Sequence, residues 1–312
     1  MPSNESGIGK FSGYESVVFT ADGGFVAGGF ANGQHDSMDS LNYKSGGQVD
    51  SGNPIAQKFS ASVANTGKQS STLSATPEWT FKCGGTGSTN CSGMIGAFNT
   101  MRVFTENGVE KIASTFRLPK SAIITLNASN GTEDRFAKTN NKGQGFTDNY
   151  LIGTKLSEFF LKTQSTEPLE DKNQDIEIEF DAAGSLTGFI VAGLTAGQDT
   201  VTNIPNMKCT PTNPCSSWEG FIYKMKPNLT KEVWRSQFTS FPGGVGKYTN
   251  LPQHGGAAVY TECFSVAKIP GGYVTSCGQG MESEEGVGVA GDPRGDWRGT
   301  PVAVDMNGNM IW

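Results

Sequence analysis

The chain is 312 residues long, carries a formal net charge of -6 and combines 42 glycines with only 17% charged residues. Its Lys and Arg residues form no cluster that could attract the phosphates of a nucleic acid, and its apolar stretches are far shorter than the roughly 20 residues of a membrane-spanning helix. The composition therefore excludes a nucleic-acid partner and a helical membrane span. The opening residues MPSNESG lack the charged and apolar regions of a signal peptide, so we expect no targeting segment in this chain.

The first predicted elements are two strands that form a hairpin. Residues 15–20 (ESVVFT) and 24–34 (GFVAGGFANGQ) are short runs rich in apolar residues. Asp22-Gly23 lies between them and favours a tight turn. This hairpin is the first copy of a pattern that returns later in the chain.

Two further hairpins are predicted before residue 140. Residues 101–114 (MRVFTENGVEKIAS) form one of them, and residues 122–136 (AIITLNASNGTEDRF) form the other. In the second hairpin Asn130-Gly131 predicts a type I′ turn, because both residue types accept the positive φ that this turn requires.

Residues 149–164 (NYLIGTKLSEFFLKTQ) are the one segment with helical character. Leu156, Phe159 and Phe160 lie on one side of the predicted helix. This side could pack over the face of the repeat domain or dock on a partner protein. We therefore keep these three residues as a candidate interface.

Both hairpin types recur in the second half of the chain. Residues 188–198 (GFIVAGLTAGQ) match 24–34 at most positions, and 271–280 (GGYVTSCGQG) is a looser relative. Residues 218–234 (WEGFIYKMKPNLTKEVW) and 297–312 (WRGTPVAVDMNGNMIW) both begin Trp-x-Gly, alternate apolar residues as half-buried strands do, turn at an Asn and return to a Trp. The strands and turns expected before the first hairpin type are 176–180 with Gly184, and 262–267 with Pro270-Gly271.

Two hairpins in succession make a unit of four strands, and three units are predicted, over 13–139, 175–240 and 258–312. The first contains an insertion at 31–120 that could hold a degenerate extra unit, and 140–174 is a linker with a short helix. Periodic four-stranded units are typical of propellers. We predict a single all-β repeat domain of four-stranded antiparallel units that form a small or incomplete β-propeller, with a long insertion in the first unit.

Two resemblances follow from these motifs. The pattern Gly-Gly-Phe/Tyr-x-x-x-Gly, followed by a strand ending Asp-x-Asn-Gly-Asn-x-x-Trp, resembles the propeller-type repeats of secreted and surface proteins. It implies a propeller fold, which hosts unrelated activities. Residues 291–299 (GDPRGDWRG), together with 271–280, look like repeat proteins of diatoms and related algae, among them the self-assembling pyrenoid-shell proteins. This second resemblance implies self-assembly into a protein shell.

The chain ends on a predicted edge strand. The last blade of a closed propeller is often completed by a strand from the other end of the chain, which removes the exposed edge. With only three or four units, we do not expect the propeller to close into a ring. We therefore expect the edge at Met310, Ile311 and Trp312 to meet another subunit.

The six cysteines fall into three pairs close in sequence, Cys83 with Cys91, Cys209 with Cys215, and Cys263 with Cys277. A hairpin that turns near Pro270-Gly271 places the last pair on adjacent strands, and we predict disulfides, with free buried thiols as the alternative. No Cys-x-x-Cys spacing supports a zinc site. Disulfides would indicate a secreted or extracellular protein; the alternative is the interior of an organelle such as a plastid.

Few residues point to chemistry. His35 and His254 lie in turn-like contexts without a nucleophile motif, and Asp305-Met306-Asn307-Gly308-Asn309 has the spacing of a calcium loop but is interpreted as a plain type I′ turn. Arg294-Gly295-Asp296 is interpreted as a rigid loop rather than an adhesive tripeptide. Five Asn-x-Ser/Thr sequons would suit a secreted chain, at Asn4, Asn90, Asn127, Asn130 and Asn228. We predict no catalytic residue, metal or cofactor.

Three functions are weighed on this basis. The favoured one is a non-catalytic structural or interaction protein that associates with itself or with a partner protein through strand edges and loops. A component of a shell or coat lattice is one form of this function. The alternative is a propeller module that binds glycans or small ligands, with Trp218 and Trp297 lining a groove. A hydrolase that uses carboxylates of Asp175, Glu177, Glu179 or Asp292 is the third.

Overall fold

A computed structural model describes residues 10–34, 53–61, 76–83, 90–91, 97–117, 122–138, 170–199, 203–204, 207–208, 215–238, 258–282 and 298–312. Within these ranges seventeen strands are present. No helix in the described part of the chain is long and apolar enough to cross a membrane. The predicted helix at 149–164, with Leu156, Phe159 and Phe160, lies outside the described residues, as does most of the predicted linker at 140–174.

Two four-stranded antiparallel sheets form the first half of the chain, and in each one the strands follow their order in the sequence. The first sheet contains Lys10–Phe19 (β1), Phe25–Gln34 (β2), Asn53–Phe59 (β3) and Trp79–Lys82 (β4). The second contains Ala97–Glu106 (β5), Val109–Arg117 (β6), Ala122–Asn127 (β7) and Glu133–Lys138 (β8). The region at 31–120, interpreted from the sequence as an insertion with a possible extra unit, thus supplies β3 and β4 to the first sheet and begins the second.

The second half contains two more units of the same kind. The third unit contains Glu170–Phe180 (β9), Leu186–Asp199 (β10), Cys215–Met225 (β13) and Glu232–Phe238 (β14), with the short strands Asn203–Ile204 (β11) and Met207–Lys208 (β12) between β10 and β13. The fourth contains Ala258–Ile269 (β15), Gly272–Glu282 (β16) and Arg298–Asp305 (β17). Two parallel residue pairs between β13 and β15 join the third and fourth sheets into one seven-stranded sheet. Six of its strands follow one another in the order β17-β16-β15-β13-β10-β9, and β14 pairs with β13 beside this order.

The predicted fold class is confirmed, since the described part of the chain is all-β and consists of antiparallel sheets of three or four strands of the propeller type. None of the described sheets closes on itself. The chain divides into two compact units, Met1–Lys138 with Phe180–Leu186, and Thr139–Glu179 with Thr187–Trp312. Each of these two compact units contains two of the sheets described above, and from here "unit" refers to these two parts of the chain.

In the first unit the two sheets share one apolar core. The ring centroids of Phe81 and Phe98 lie 6.0 Å apart, and those of Phe98 and Phe116 lie 4.7 Å apart, both edge to face. The disulfide between Cys83 and Cys91 is buried in this core, with a Cα–Cα distance of 5.2 Å. Burial of aromatic rings from both sheets is the main favourable term that holds the sheets together.

In the second unit the third and fourth sheets also share a core. The disulfide between Cys263 and Cys277 lies in it and joins directly opposite residues of β15 and β16, with a Cα–Cα distance of 4.0 Å. Two of the three predicted pairs are therefore disulfides in the structure. Cys209 and the side chain of Cys215 lie outside the described residues.

A tryptophan of one sheet is docked on a hairpin turn of the next sheet in both units. In the first unit Trp79 Nε1 donates to the carbonyl of Ala128 at 3.0 Å, and the indole ring lies against Gly131. In the second, Trp234 Nε1 donates to the carbonyl of Met306 at 3.0 Å, and its ring lies against Gly308. We call these two contacts the tryptophan clamps.

The turns under the clamps differ from the predicted type I′ turns. That turn needs a positive φ at two successive residues, but in the described turns only Gly131 (69°) and Gly308 (83°) have one, while Asn130 and Asn307 do not. The type I′ prediction is therefore wrong at both turns. The physical reason is loop length. The Asn127 N–H donates to the Thr132 carbonyl and the Asp305 N–H donates to the Asn309 carbonyl, so these loops contain four and three residues, whereas a type I′ turn closes a loop of two. The β5–β6 hairpin does have two successive positive φ values, 53° at Asn107 and 77° at Gly108.

A buried polar network also joins the third and fourth sheets. The Glu179 carboxylate, whose side chain is 3% exposed, accepts hydrogen bonds from Tyr273 Oη at 2.5 Å and Thr187 Oγ1 at 2.6 Å, and forms an ion pair with Lys224. Burial alone would raise the pKa of Glu179, but the bonds from Lys224, Thr187 and Tyr273 outweigh it and lower that pKa. Burial, followed by the neighbouring Glu179 carboxylate, raises the pKa of Tyr273. The network therefore contains an ionised Glu179 and a neutral Tyr273 at neutral pH.

Substitution of Gly308 by alanine tests the clamp. An added Cβ would lie 2.5 Å from the Trp234 ring and would be strained by the positive φ, so we expect G308A to lose about 3 kcal/mol of unfolding free energy. Gly271 is the matched control, because it has a φ of 82° but open space around a Cβ, and G271A should lose only about 1 kcal/mol. Urea denaturation measures both. Equal losses would contradict the clamp.

The Glu179 network predicts a defined pH dependence of stability. Glu179→Gln leaves Lys224 without its charge partner, so we expect a loss of about 3 kcal/mol at pH 7. Because the folded-state pKa of Glu179 is lowered, its contribution is present above the unfolded pKa near 4.5 and is lost as the pH falls through the folded value. The difference between the wild type and E179Q should therefore shrink below pH 4.5. Denaturation curves at several pH values measure this difference in unfolding free energy, and E177Q, on the same strand, is the control. A difference between the wild type and E179Q that stays constant with pH would contradict this role of Glu179.

Candidate interaction edge at the C-terminal strand

The turn at 305–309 is held by the carboxylate of Asp305. Asp305 Oδ1 accepts hydrogen bonds from the backbone N–H groups of Asn307 and Asn309, both at 2.8 Å, and Oδ2 accepts one from Asn309 Nδ2 at 2.9 Å. These bonds, the Asn309 side-chain bond first, lower the pKa of Asp305. The oxygen spacing that resembles a calcium loop thus serves to build the turn. Among the described residues no group of three or more His, Cys, Asp or Glu side chains could hold a metal ion.

The same turn is fixed to β14 of the third sheet. Trp234 donates to the Met306 carbonyl, as described above, and Ser236 Oγ donates to the carbonyl of Gly308. Trp234 and Ser236 both lie on β14, so one strand contacts the turn at two points. The turn therefore sets the position at which the chain after Asp305 returns along the sheet.

Residues 310–312 return along β17, and we call them the terminal edge. Met310 pairs with Val304 in an antiparallel bridge. The Ile311 N–H donates to the Ala303 carbonyl at 2.8 Å, and the Ala303 N–H donates to the Trp312 carbonyl at 2.8 Å. The backbone of the terminal edge is thus held along β17, whose residues Ala303 and Val304 are fully buried.

The side chains of the terminal edge are exposed although its backbone is fixed. Met310 is 61% exposed, Ile311 52% and Trp312 58%. No strand in the described part of the chain pairs with the other side of this edge. An ordered strand with exposed apolar side chains and an open hydrogen-bonding side is a template for pairing with another chain. The terminal edge consists of Met310, Ile311 and Trp312, which the sequence analysis named as a candidate interface, and their role as an interface stays a prediction.

A second apolar edge, which the sequence analysis missed, lies in the first sheet. β1 is the end strand of that sheet among the described strands, and its residues Val17 and Phe19 are 54% and 72% exposed. Phe25 on β2 lies directly opposite Phe19, and Phe59 on β3 lies directly opposite Phe25. The rings of Phe25 and Phe59 stack with their centroids 5.0 Å apart. The alternation of Val17 and Phe19 with the half-buried Val18 was the signal that could have located this edge.

The carboxylates proposed for a hydrolase are occupied by structural contacts where they are described. Asp175 Oδ2 accepts the Val266 N–H at 2.9 Å, and Glu177 Oε1 accepts the Ile178 N–H at 2.9 Å. Glu179 lies in the buried network of the second unit. Asp292 and the side chains of Trp218 and Trp297, on which the glycan-binding alternative depends, lie outside the described residues, as do His35, His254 and 294–296.

Comparisons with known proteins identify no family. No protein-family model matches the chain, and no curated protein matches it. A quinohemoprotein alcohol dehydrogenase from Comamonas testosteroni is similar over 85% of this chain and 44% of its own, with 12% identity and a TM-score of 0.32. The chain therefore spans less than half the length of that protein. An exo-1,5-alpha-L-arabinanase from a bovine ruminal metagenomic library is similar over 94% of this chain and 76% of its own, with 7% identity and a TM-score of 0.36. At these values neither protein identifies an activity, and the likeness to algal repeat proteins stays a prediction.

Proposed function

We propose that this chain is a non-catalytic interaction protein that associates with further copies of itself. The observation that carries the proposal is the terminal edge, where Met310, Ile311 and Trp312 are exposed on a backbone that is already fixed to β17. An ordered edge loses little conformational entropy when a second strand pairs with it. The binding free energy is therefore not reduced by the cost of ordering this segment.

The partner surface that fits best is the β1 edge of another copy. β1 is an end strand of its sheet, the terminal edge lies along the end strand β17, and both carry large exposed apolar side chains. β5 contacts β1 at Ser16, where the Met101 N–H donates to Ser16 Oγ at 3.1 Å. The second copy would therefore pair with β1 beyond this point, at Val17 and Phe19. Pairing between them would add backbone hydrogen bonds and bury Phe19 and Ile311 on opposite sides of one contact. Because the two surfaces are different, the contact is heterologous and can repeat.

Repetition of this contact gives rings or filaments, and a second contact could extend them into a shell or coat lattice. The three side chains of the terminal edge are already partly covered, so their further burial contributes only about 4 kcal/mol. We therefore expect weak association, with a dissociation constant of about 1 mM rather than nanomolar. A net charge of -6 on every copy opposes contact, so added salt should strengthen association.

The two disulfides support an oxidising compartment, because such bonds persist in secreted and extracellular proteins and are rare in the cytosol. A secreted or surface location of the self-associating protein is part of this proposal. Interaction with a different partner protein through the same edge is the variant of the proposal that the experiment below distinguishes.

A charge at the terminal edge tests the proposal. Sedimentation of the wild type over about a hundredfold range of concentration should show larger species that grow by mass action. Ile311→Asp places a carboxylate at the centre of the edge, so we expect a monomer with an unchanged melting temperature. Val109→Asp is the control, because Val109 is also an exposed apolar residue but lies in the β5–β6 hairpin, and it should assemble like the wild type.

A mixing experiment tests which surfaces meet. Phe19→Asp should also be monomeric, but a mixture of I311D and F19D should form a dimer, since each variant keeps one intact surface. A monomeric wild type at all concentrations would refute self-association and favour a different partner protein. Normal assembly of I311D would refute the role of the terminal edge, and normal assembly of F19D would refute that of β1.

A further inference from the structure

Two hairpin turns in corresponding positions of the second and third sheets carry the same hydrogen-bonded Asn-x-Thr arrangement. In the turn between β7 and β8, the Thr132 hydroxyl donates to Asn130 Oδ1 at 2.8 Å. In the turn between β13 and β14, the Thr230 hydroxyl donates to Asn228 Oδ1 at 2.6 Å. The N–H of each threonine donates to the same oxygen, at 3.0 Å and 3.2 Å. Both asparagines are exposed.

This arrangement polarises the asparagine amide. Two donors on Oδ1 draw electron density from the carboxamide and weaken its N–H bonds, while both donors approach the oxygen and leave Nδ2 on the other side of the group. All the contacts lie within three residues, so the turn can form before the rest of the chain folds. The exposure of both asparagines means that the folded protein has room for a bulky group on Nδ2.

The other described sequons lack this arrangement. Asn127 is half-buried, and its Nδ2 donates to Thr132 Oγ1 at 2.8 Å. Asn90 Nδ2 donates to Glu133 Oε1, and the middle residue of its sequon, Cys91, is joined to Cys83 by a disulfide. In both cases the nitrogen that would be modified is already engaged in the folded protein.

We infer that Asn130 and Asn228 are N-glycosylation sites of this chain. Nδ2 would attack C1 of the first sugar of an oligosaccharide linked to a lipid pyrophosphate. The N–C1 bond forms as the C1–O bond breaks, the lipid pyrophosphate leaves with the electron pair, and Nδ2 loses one proton. The donor and the transferase belong to the secretory compartment, where the two disulfides would also form.

The corresponding turn of the fourth sheet is not a site. It contains Asn307-Gly308-Asn309, with an amide where the other two turns have a threonine hydroxyl. The glycans would therefore lie on the second and third sheets, and the turn at 305–309, beside the terminal edge, would carry none. The inference itself does not depend on the proposed self-association.

Secretion of the full chain from eukaryotic cells, directed by a fused cleavable signal peptide, tests the inference. The background variant carries Asn4→Gln, which removes the sequon outside the described residues. Treatment with an N-glycosidase should lower the mass by the equivalent of two glycans. Thr132→Ala and Thr230→Ala should each remove one of them. Ser129→Ala, which destroys only the Asn127 sequon, is the matched control and should remove none.

Peptide mass spectrometry after enzymatic release of the glycans in heavy-oxygen water identifies the sites without any variant, since each modified Asn becomes a labelled Asp. Label on Asn130 and Asn228 supports the inference even if a threonine variant fails to fold. Secreted protein without a mass change, or with label on Asn90 or Asn127 instead, would overturn it.

Discussion

The docking of Trp234 on the turn at Gly308 is the contact on which the position of residues 305–312 depends. It joins the third sheet to the fourth through an indole hydrogen bond and a ring face, and Ser236 adds a second bond to the same turn. A side chain larger than glycine at residue 308 would push the ring away. Because the turn is fixed, the chain after Asp305 returns along β17, where residues 310–312 form a bridge and two backbone hydrogen bonds with it.

A second tryptophan clamp occurs in the first unit, where the Trp79 ring contacts Gly131. A four-stranded sheet buries one face easily, but neighbouring sheets need a contact that also fixes their relative rotation. An indole provides both, since it buries a large apolar area and has one N–H that must find an acceptor. The polar network around Glu179 adds a directional link between the third and fourth sheets, with each partner of the carboxylate placed by a different strand.

These links explain how an exposed apolar edge can persist in a stable protein. The interior contacts hold the sheets, while Met310, Ile311 and Trp312 contribute little to the core because most of their surface faces solvent. Natural sheets usually protect such edges with charges or prolines, and this one has neither among its last three residues. Glycans on the turns at Asn130 and Asn228 would protect other sheets and leave this edge accessible, which is consistent with a specific contact there.

The sequence by itself determined the strands and most of the hairpins, because alternation of apolar residues and turn residues such as Pro270-Gly271 act locally. It also indicated the Cys263–Cys277 pair, since a hairpin register places those two residues opposite each other. It could not assign β3 and β4 to the first sheet, since their few residues share no repeat motif with the other sheets.

Only the tertiary structure decided that the turns at Gly131 and Gly308 are covered by a tryptophan, because each indole ring comes from another sheet. It also decided that Glu179 is a buried link and that Val17 and Phe19 remain exposed, since both outcomes depend on which sheet faces pack together. Strand formation follows from neighbours in the sequence, whereas burial and the partners of polar groups follow from residues that are distant in the sequence and adjacent only in the fold.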